Sequence, residues 1–138
     1  MGMRFIKIAV LYFAVGVSIG LAMGMTGQFT FMPVHAHINL LGWASLALCG
    51  LIYTLYPEAA QTRLAKTHFW LHNVGLPPLM VALAFLLSGH PGAEPVVGVL
   101  SMVVGVGILM FVVNVWLTLK PQATSQAAMR SAAPAGAR

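Results

Sequence analysis

Four long apolar runs constrain the fold of this chain more than any other feature. They extend over about residues 5–25, 34–56, 68–88 and 95–119. A run of roughly 20 apolar residues can cross a bilayer as a helix, and in lipid all backbone groups must be satisfied within the segment. Only 7% of the 138 residues are charged, too few to cover a water-facing surface. We therefore predict an all-α fold, an integral membrane four-helix bundle in residues 1–120, followed by a mobile tail over residues 121–138.

The basic residues predict an orientation for this bundle. They lie near the start of the chain, between the second and third runs, and beyond the fourth run: Arg4, Lys7, Arg63, Lys66, Lys120, Arg130 and Arg138. The other two connections carry no lysine or arginine. Because cytoplasmic loops are rich in these residues, both termini are predicted to be cytoplasmic. The same distribution argues against a basic groove for nucleic acid.

The first run allows two interpretations. Arg4 and Lys7 precede an apolar stretch that ends in small residues, as in a cleaved signal peptide. The run is, however, longer than the apolar core of a usual signal peptide, and it carries Gly16, Gly20 and Gly24 at a spacing of four. Such a stripe of small residues favours close packing of helices, either within the bundle or between subunits.

Two histidines, His35 and His37, stand at the start of the second run. Residues two apart on a helix point about 200° away from each other, so the pair cannot easily hold one ion. A helix that stands between two flat cofactors needs ligands in this arrangement. Asn39 lies one turn from His35 and is a candidate for hydrogen bonding behind that ligand. On geometry alone, two histidines hydrated at the headgroup level explain the pattern equally well.

A second pair, His68 and His72, has the spacing of four that places two imidazoles on one face of a helix. This pair is a candidate metal chelate. Hydrogen bonding at the membrane interface, beside aromatic residues typical of that region, is the simpler interpretation. His37 and Tyr56 are separated by about 28 Å of helix, so we expect the two histidine pairs not to share a metal within one subunit.

Three segments carry a resemblance to the large subunit of the heme–copper oxidases, in the branch of the cbb-type oxidases and nitric oxide reductases. "VHAHINLLGWASLALCGLIYTLYP" resembles the tenth helix of that family, with its H-x-H motif and the following L-G-W. "THFWLHNVGLP" is similar to the start of the eleventh helix, and "NVW" to part of the twelfth. The resemblance implies the C-terminal four-helix unit, helices nine to twelve. It also implies that His35 binds a high-spin heme and His37 a low-spin heme.

The chain departs from that family in ways that matter for activity. The helices that supply the copper ligands, and the helix that gives the low-spin heme its second histidine, have no counterpart here. His72 is an addition to the family pattern. Three copies would rebuild a ring of twelve helices, so a homo-oligomer is expected, with a trimer favoured. Any enzymatic activity, as a heme-dependent oxidoreductase, is expected only of such an oligomer.

The function expected from these observations is binding of heme b in a bacterial inner (cytoplasmic) membrane. The heme would serve electron transfer in a respiratory chain, or binding of a diatomic gas such as nitric oxide or oxygen. One alternative is a cofactor-free accessory or assembly subunit of a larger respiratory complex. Another is a copper-handling protein that uses His35 and His37 with Met25 and Met32, because imidazole and thioether ligands suit copper.

Overall fold

Four long helices form the part of the chain that the computed structural model describes, residues 1–119. They are α1 (Gly2–Thr26), α2 (Met32–Leu55), α3 (Arg63–Leu87) and α4 (Glu94–Thr118). Each is long and apolar enough to cross a membrane, and residues 1–119 contain no β-strand. The predicted all-helical fold, with four helices long and apolar enough to span a membrane, is therefore confirmed. The tail predicted to be mobile, residues 121–138, lies outside the described residues.

Short turns with recognisable end signals join the helices. After α1, Gly27 adopts a left-handed conformation with φ of 66°, which glycine accommodates without strain. The hydroxyl of Thr62 accepts a hydrogen bond of 3.0 Å from the Ala65 backbone N–H and so caps the start of α3. The third span consequently begins at Arg63, five residues before the predicted start at His68. This shift moves the α3 histidines away from the helix end.

Glycines allow α1 and α2 to approach closely. A Cβ atom added to Gly16 would lie 2.5 Å from the Asn39 amide nitrogen, and one added to Gly20 would lie 2.7 Å from the His35 ring. A Cβ on Gly24 would meet nothing within 4 Å. Two of the three glycines in the predicted stripe thus pack within the bundle, where they contact the side chains of Asn39 and His35 in α2.

The helices associate as two pairs, α1 with α2 and α3 with α4. Gly107 of α4 faces the backbone of α3, because a Cβ there would lie 3.4 Å from the His72 backbone nitrogen. Buried side chains fill the space between the pairs in two clusters. One surrounds Phe5 and Tyr53, and the other surrounds Val34 and Leu76.

An eight-residue π-helical segment, Ile38–Ser45, interrupts α2 directly after His37. In a π-turn the backbone N–H bonds to the carbonyl five residues earlier, so the turn is wider than in an α-helix. Such segments are rare and are frequent at functional sites. Nothing in the hydrophobic pattern predicted this one.

Candidate functional site

His37 is held in a tautomer that can bind a metal. Its Nδ1 lies 2.7 Å from the backbone carbonyl of Pro33, one turn earlier in α2. A carbonyl only accepts, so Nδ1 donates and Nε2 keeps its lone pair. The side chain is exposed. A ring nitrogen that donates to a backbone carbonyl while the other carries the lone pair is the usual arrangement of ligating histidines.

His37 also lines a cavity of about 270 Å³ between α2, α3 and α4. Apolar side chains form much of its wall, among them Leu79 and Met80. The small residues Ser101 and Gly105 of α4 line it as well, and a Cβ on Gly105 would meet nothing within 4 Å. This small-residue pair leaves open space on the side of α2 that His37 faces.

His35 points to the opposite side of α2, towards α1. Its Nδ1 donates to the carbonyl of Gly16 at 2.9 Å, and its ring lies over Gly20. The two α2 histidines therefore face different helices, His35 towards α1 and His37 towards the cavity lined by α3 and α4, as their spacing predicts. His35 is half-buried and contributes to the packing of α1 on α2. Its Nε2 also keeps a lone pair, because Nδ1 carries the proton.

Asn39 supports His35 mainly through the backbone. Its amide nitrogen donates to the carbonyl oxygen of His35 at 2.9 Å and lies 3.4 Å from the ring Nδ1. Since that Nδ1 already donates to Gly16, it offers no lone pair to the amide. Asn39 therefore fixes the position of His35 through its backbone carbonyl.

The α3 histidines have a different environment from the one predicted. His68 and His72 are both 0% exposed, so hydrogen bonding at the headgroup level is the wrong interpretation. His72 Nε2 donates to the carbonyl of Leu41 in the π-segment at 3.1 Å, and His68 Nδ1 lies 3.2 Å from the Tyr53 hydroxyl. The physical reason is the face of α3 that they share, which packs against Phe5 of α1 and Leu41 of α2, whereas Trp70 between them is 64% exposed.

No group of three or more histidine, cysteine or acidic side chains is arranged to hold a metal ion within residues 1–119. The His68 and His72 rings are 5.5 Å apart between centroids, and among the described residues no third such side chain completes a metal site with them. The thioethers considered for copper, Met25 and Met32, are both exposed. A metal bound by these residues would need additional ligands from another molecule, as heme iron has in the nitrogen atoms of its porphyrin.

A buried polar contact that the sequence reasoning missed joins α4 to the turn before α3. The Thr62 hydroxyl donates to the side-chain oxygen of Asn114 at 2.7 Å, and the Asn114 amide donates to the carbonyl of Ala59 at 2.9 Å. Asn114 is 0% exposed. The sequence did carry a signal for this contact, namely a lone asparagine in an apolar span. Polar side chains buried in membranes form hydrogen bonds with a partner, so such an asparagine predicts one.

No family model, curated protein or solved structure matches the chain. The resemblance to heme–copper oxidases rests on the quoted motifs alone.

Proposed function

We propose that the protein is a membrane b-type heme protein in which His37 supplies an axial ligand. The observation that carries the proposal is the 2.7 Å bond from His37 Nδ1 to the Pro33 carbonyl. That bond orients an exposed imidazole and leaves Nε2 free to bind iron. The H-x-H motif and its resemblance to the heme–copper oxidases give independent support from the sequence.

The cavity beside His37 fits one edge of a flat apolar group. Its wall is largely apolar, and the Ser101 and Gly105 positions leave room there. At about 270 Å³ the cavity is smaller than a porphyrin. The remainder of the heme would need cover from another chain, which agrees with the expected homo-oligomer, a trimer in the favoured arrangement.

His35 is the second candidate ligand. Its lone pair lies on Nε2, but its ring already packs on Gly20. If both histidines bind iron, α2 stands between two hemes. A heme with two axial histidines carries electrons, whereas a heme with one leaves a position for nitric oxide or oxygen. In either case the protein would serve a respiratory chain in the bacterial inner membrane.

Absorption spectra test the proposal directly. The protein is expressed with ample heme, purified in detergent, and measured oxidised and dithionite-reduced. The reduced wild type is expected to show b-type bands that His37→Ala removes. His90→Ala is the matched control, because His90 lies in an exposed turn, and this variant should retain the bands. A wild-type protein without a Soret band would overturn the proposal.

The alternative, a cofactor-free accessory subunit, has one structural observation in its favour. Gly98, Ser101 and Gly105 follow one another along one side of α4, and neither glycine has a neighbour within 4 Å of an added Cβ. Such small residues allow a second membrane helix to approach closely. An accessory subunit would be colourless when pure and would co-purify with a larger protein from its own membrane.

A further inference from the structure

A cavity of about 670 Å³ lies at one end of the bundle, where α1 begins, α2 ends and α3 begins. It is at the opposite end of α2 from His37. Sites for small ligands in proteins usually occupy roughly 300–1,000 Å³, so the cavity is large enough to hold one. Its wall comes from all three helices and the turn before α3, and it includes Arg4, Tyr53, Gln61, Lys66 and Trp70.

Two basic side chains, Arg4 and Lys66, line this cavity from different helices. Both residues are exposed, so their charged groups are accessible to a ligand. Their helices are in contact at this level, because the rings of Phe5 and Phe69 are 5.1 Å apart between centroids and nearly perpendicular, at 82°. Phe5 follows Arg4 in α1, and Phe69 lies about one turn after Lys66 in α3. The packing of α1 on α3 thus holds two positive charges at one cavity.

The charge of the cavity determines the charge of the ligand that fits it. The sequence has two acidic residues in total, Glu58 and Glu94, and within residues 1–119 the cavity wall includes neither. Two positive charges that share a cavity repel each other, whereas an anion between them is attracted by both. The cavity therefore favours a ligand that carries negative charge.

The aromatic residues of the cavity indicate the source of that anion. Trp70 is 64% exposed, and its ring lies edge-on to Phe69 with 5.6 Å between centroids. Tryptophan is enriched where a helix leaves the hydrocarbon and meets the lipid headgroups. A small soluble anion would leave this apolar surface uncovered. A phospholipid brings a phosphate for the basic side chains and acyl chains for the aromatic ones.

We propose that this cavity binds an anionic phospholipid, with its phosphate held by Arg4 and Lys66 and its acyl chains against Trp70. The guanidinium and ammonium groups donate charge-assisted hydrogen bonds to phosphate oxygens, and the exposed amide of Gln61 supplies a further donor. Basic pockets between membrane helices recognise lipid headgroups in this way. A zwitterionic lipid fits less well, because its cationic group would lie beside two positive charges. The site does not depend on heme at His37.

Native mass spectrometry of the full chain tests the proposal, because it resolves each lipid molecule bound to the protein. The protein is purified in detergent, stripped of lipid, and titrated with dioleoyl phosphatidylglycerol or with dioleoyl phosphatidylcholine. The first phosphatidylglycerol is expected to bind about tenfold more tightly than the first phosphatidylcholine, since each basic residue near the headgroup adds attraction. Equal affinity for the two lipids would overturn the proposal.

Two double variants with the same change in charge locate the site. Arg4→Gln/Lys66→Gln removes both cations of the cavity and should abolish the preference for phosphatidylglycerol. The matched control is Lys7→Gln/Arg63→Gln, which removes two exposed basic residues at the same end of the bundle, outside the cavity wall. The control should retain the preference. An equal loss in both double variants would assign the preference to the general surface charge and contradict the site, as would a preference that survives in the first.

A competition experiment on the wild type distinguishes a lipid from a soluble phosphate ester and needs no variant. Glycerophosphoglycerol, the headgroup of phosphatidylglycerol without its acyl chains, is added in large molar excess to the protein with bound lipid. The lipid is expected to remain bound, because its acyl chains contact the aromatic part of the site. Displacement of the lipid would assign the cavity to soluble phosphate esters and overturn its assignment to a membrane lipid.

Discussion

The histidines of α2 and those of α3 are the same chemical group in two different situations. His35 and His37 each donate Nδ1 to a backbone carbonyl and keep a free lone pair on Nε2, the first on a half-buried ring and the second on an exposed one. His68 and His72 are fully buried and connect α3 to α2. His37 and His68 are each the sixth residue of their helices, so the comparison teaches that the face of the helix, and not the distance from its end, decides whether an imidazole is an available ligand or an internal link.

The largest expected difference between the two pairs is in stability. His68→Ala empties a fully buried volume and removes the partner of the Tyr53 hydroxyl, so it should lower the free energy of unfolding by about 3 kcal/mol. In the heme-free protein, His37→Ala changes an exposed side chain and should alter it by about 0.5 kcal/mol or less. Denaturant unfolding in mixed micelles, followed by circular dichroism, measures both. Similar losses would remove the distinction between the pairs.

A smaller effect on stability should show that His35 packs against α1, which distinguishes it from His37. Gly20→Ala places a methyl group 2.7 Å from the His35 ring, and the displacement should destabilise the protein by about 1–2 kcal/mol. Gly24→Ala, one turn further along α1, meets nothing and should cause no loss. The same unfolding assay applies. If the two alanine variants prove equally stable, His35 is not held against α1.

The smallest effect concerns the link between His68 and α2. Tyr53→Phe removes a hydroxyl that lies 3.2 Å from His68 Nδ1 and should lower the free energy of unfolding by about 1 kcal/mol. Tyr56→Phe, three residues further and only half-buried, is the matched control, with an expected change of about 0.5 kcal/mol or less. A Tyr53→Phe variant as stable as the wild type would mean that packing alone holds His68.

The sequence predicted the parts of this structure that depend on periodicity. The four spans follow from run length, and the opposite directions of His35 and His37 follow from the helical turn. The start of α3 was placed too late, because hydropathy marks where apolar residues begin, at His68. The helix itself begins where Thr62 satisfies its first backbone N–H groups, and its first turns carry Arg63 and Lys66.

The remaining parts depend on contacts between distant residues. The bond from His72 to the Leu41 carbonyl joins residues 31 positions apart, and no local pattern encodes it. The same holds for Asn114 and its partners in the turn before α3. A lone polar residue in an apolar span indicates that a partner exists, but only the packing of the helices identifies it.

The π-segment of α2 has a consequence for how His37 is oriented relative to Tyr53, in the second half of the same helix. Each residue of an α-helix advances the chain by about 100° around the axis, whereas a π-turn is wider and accommodates one extra residue. Deleting one residue from Ile38–Ser45 would therefore restore α-helical winding and leave His37 at nearly the same angle relative to Tyr53. The same deletion in the α-helical residues 46–52 would rotate His37 by about 100° relative to Tyr53. A change of length is thus tolerated in the π-segment and not in the α-helical turns that follow it.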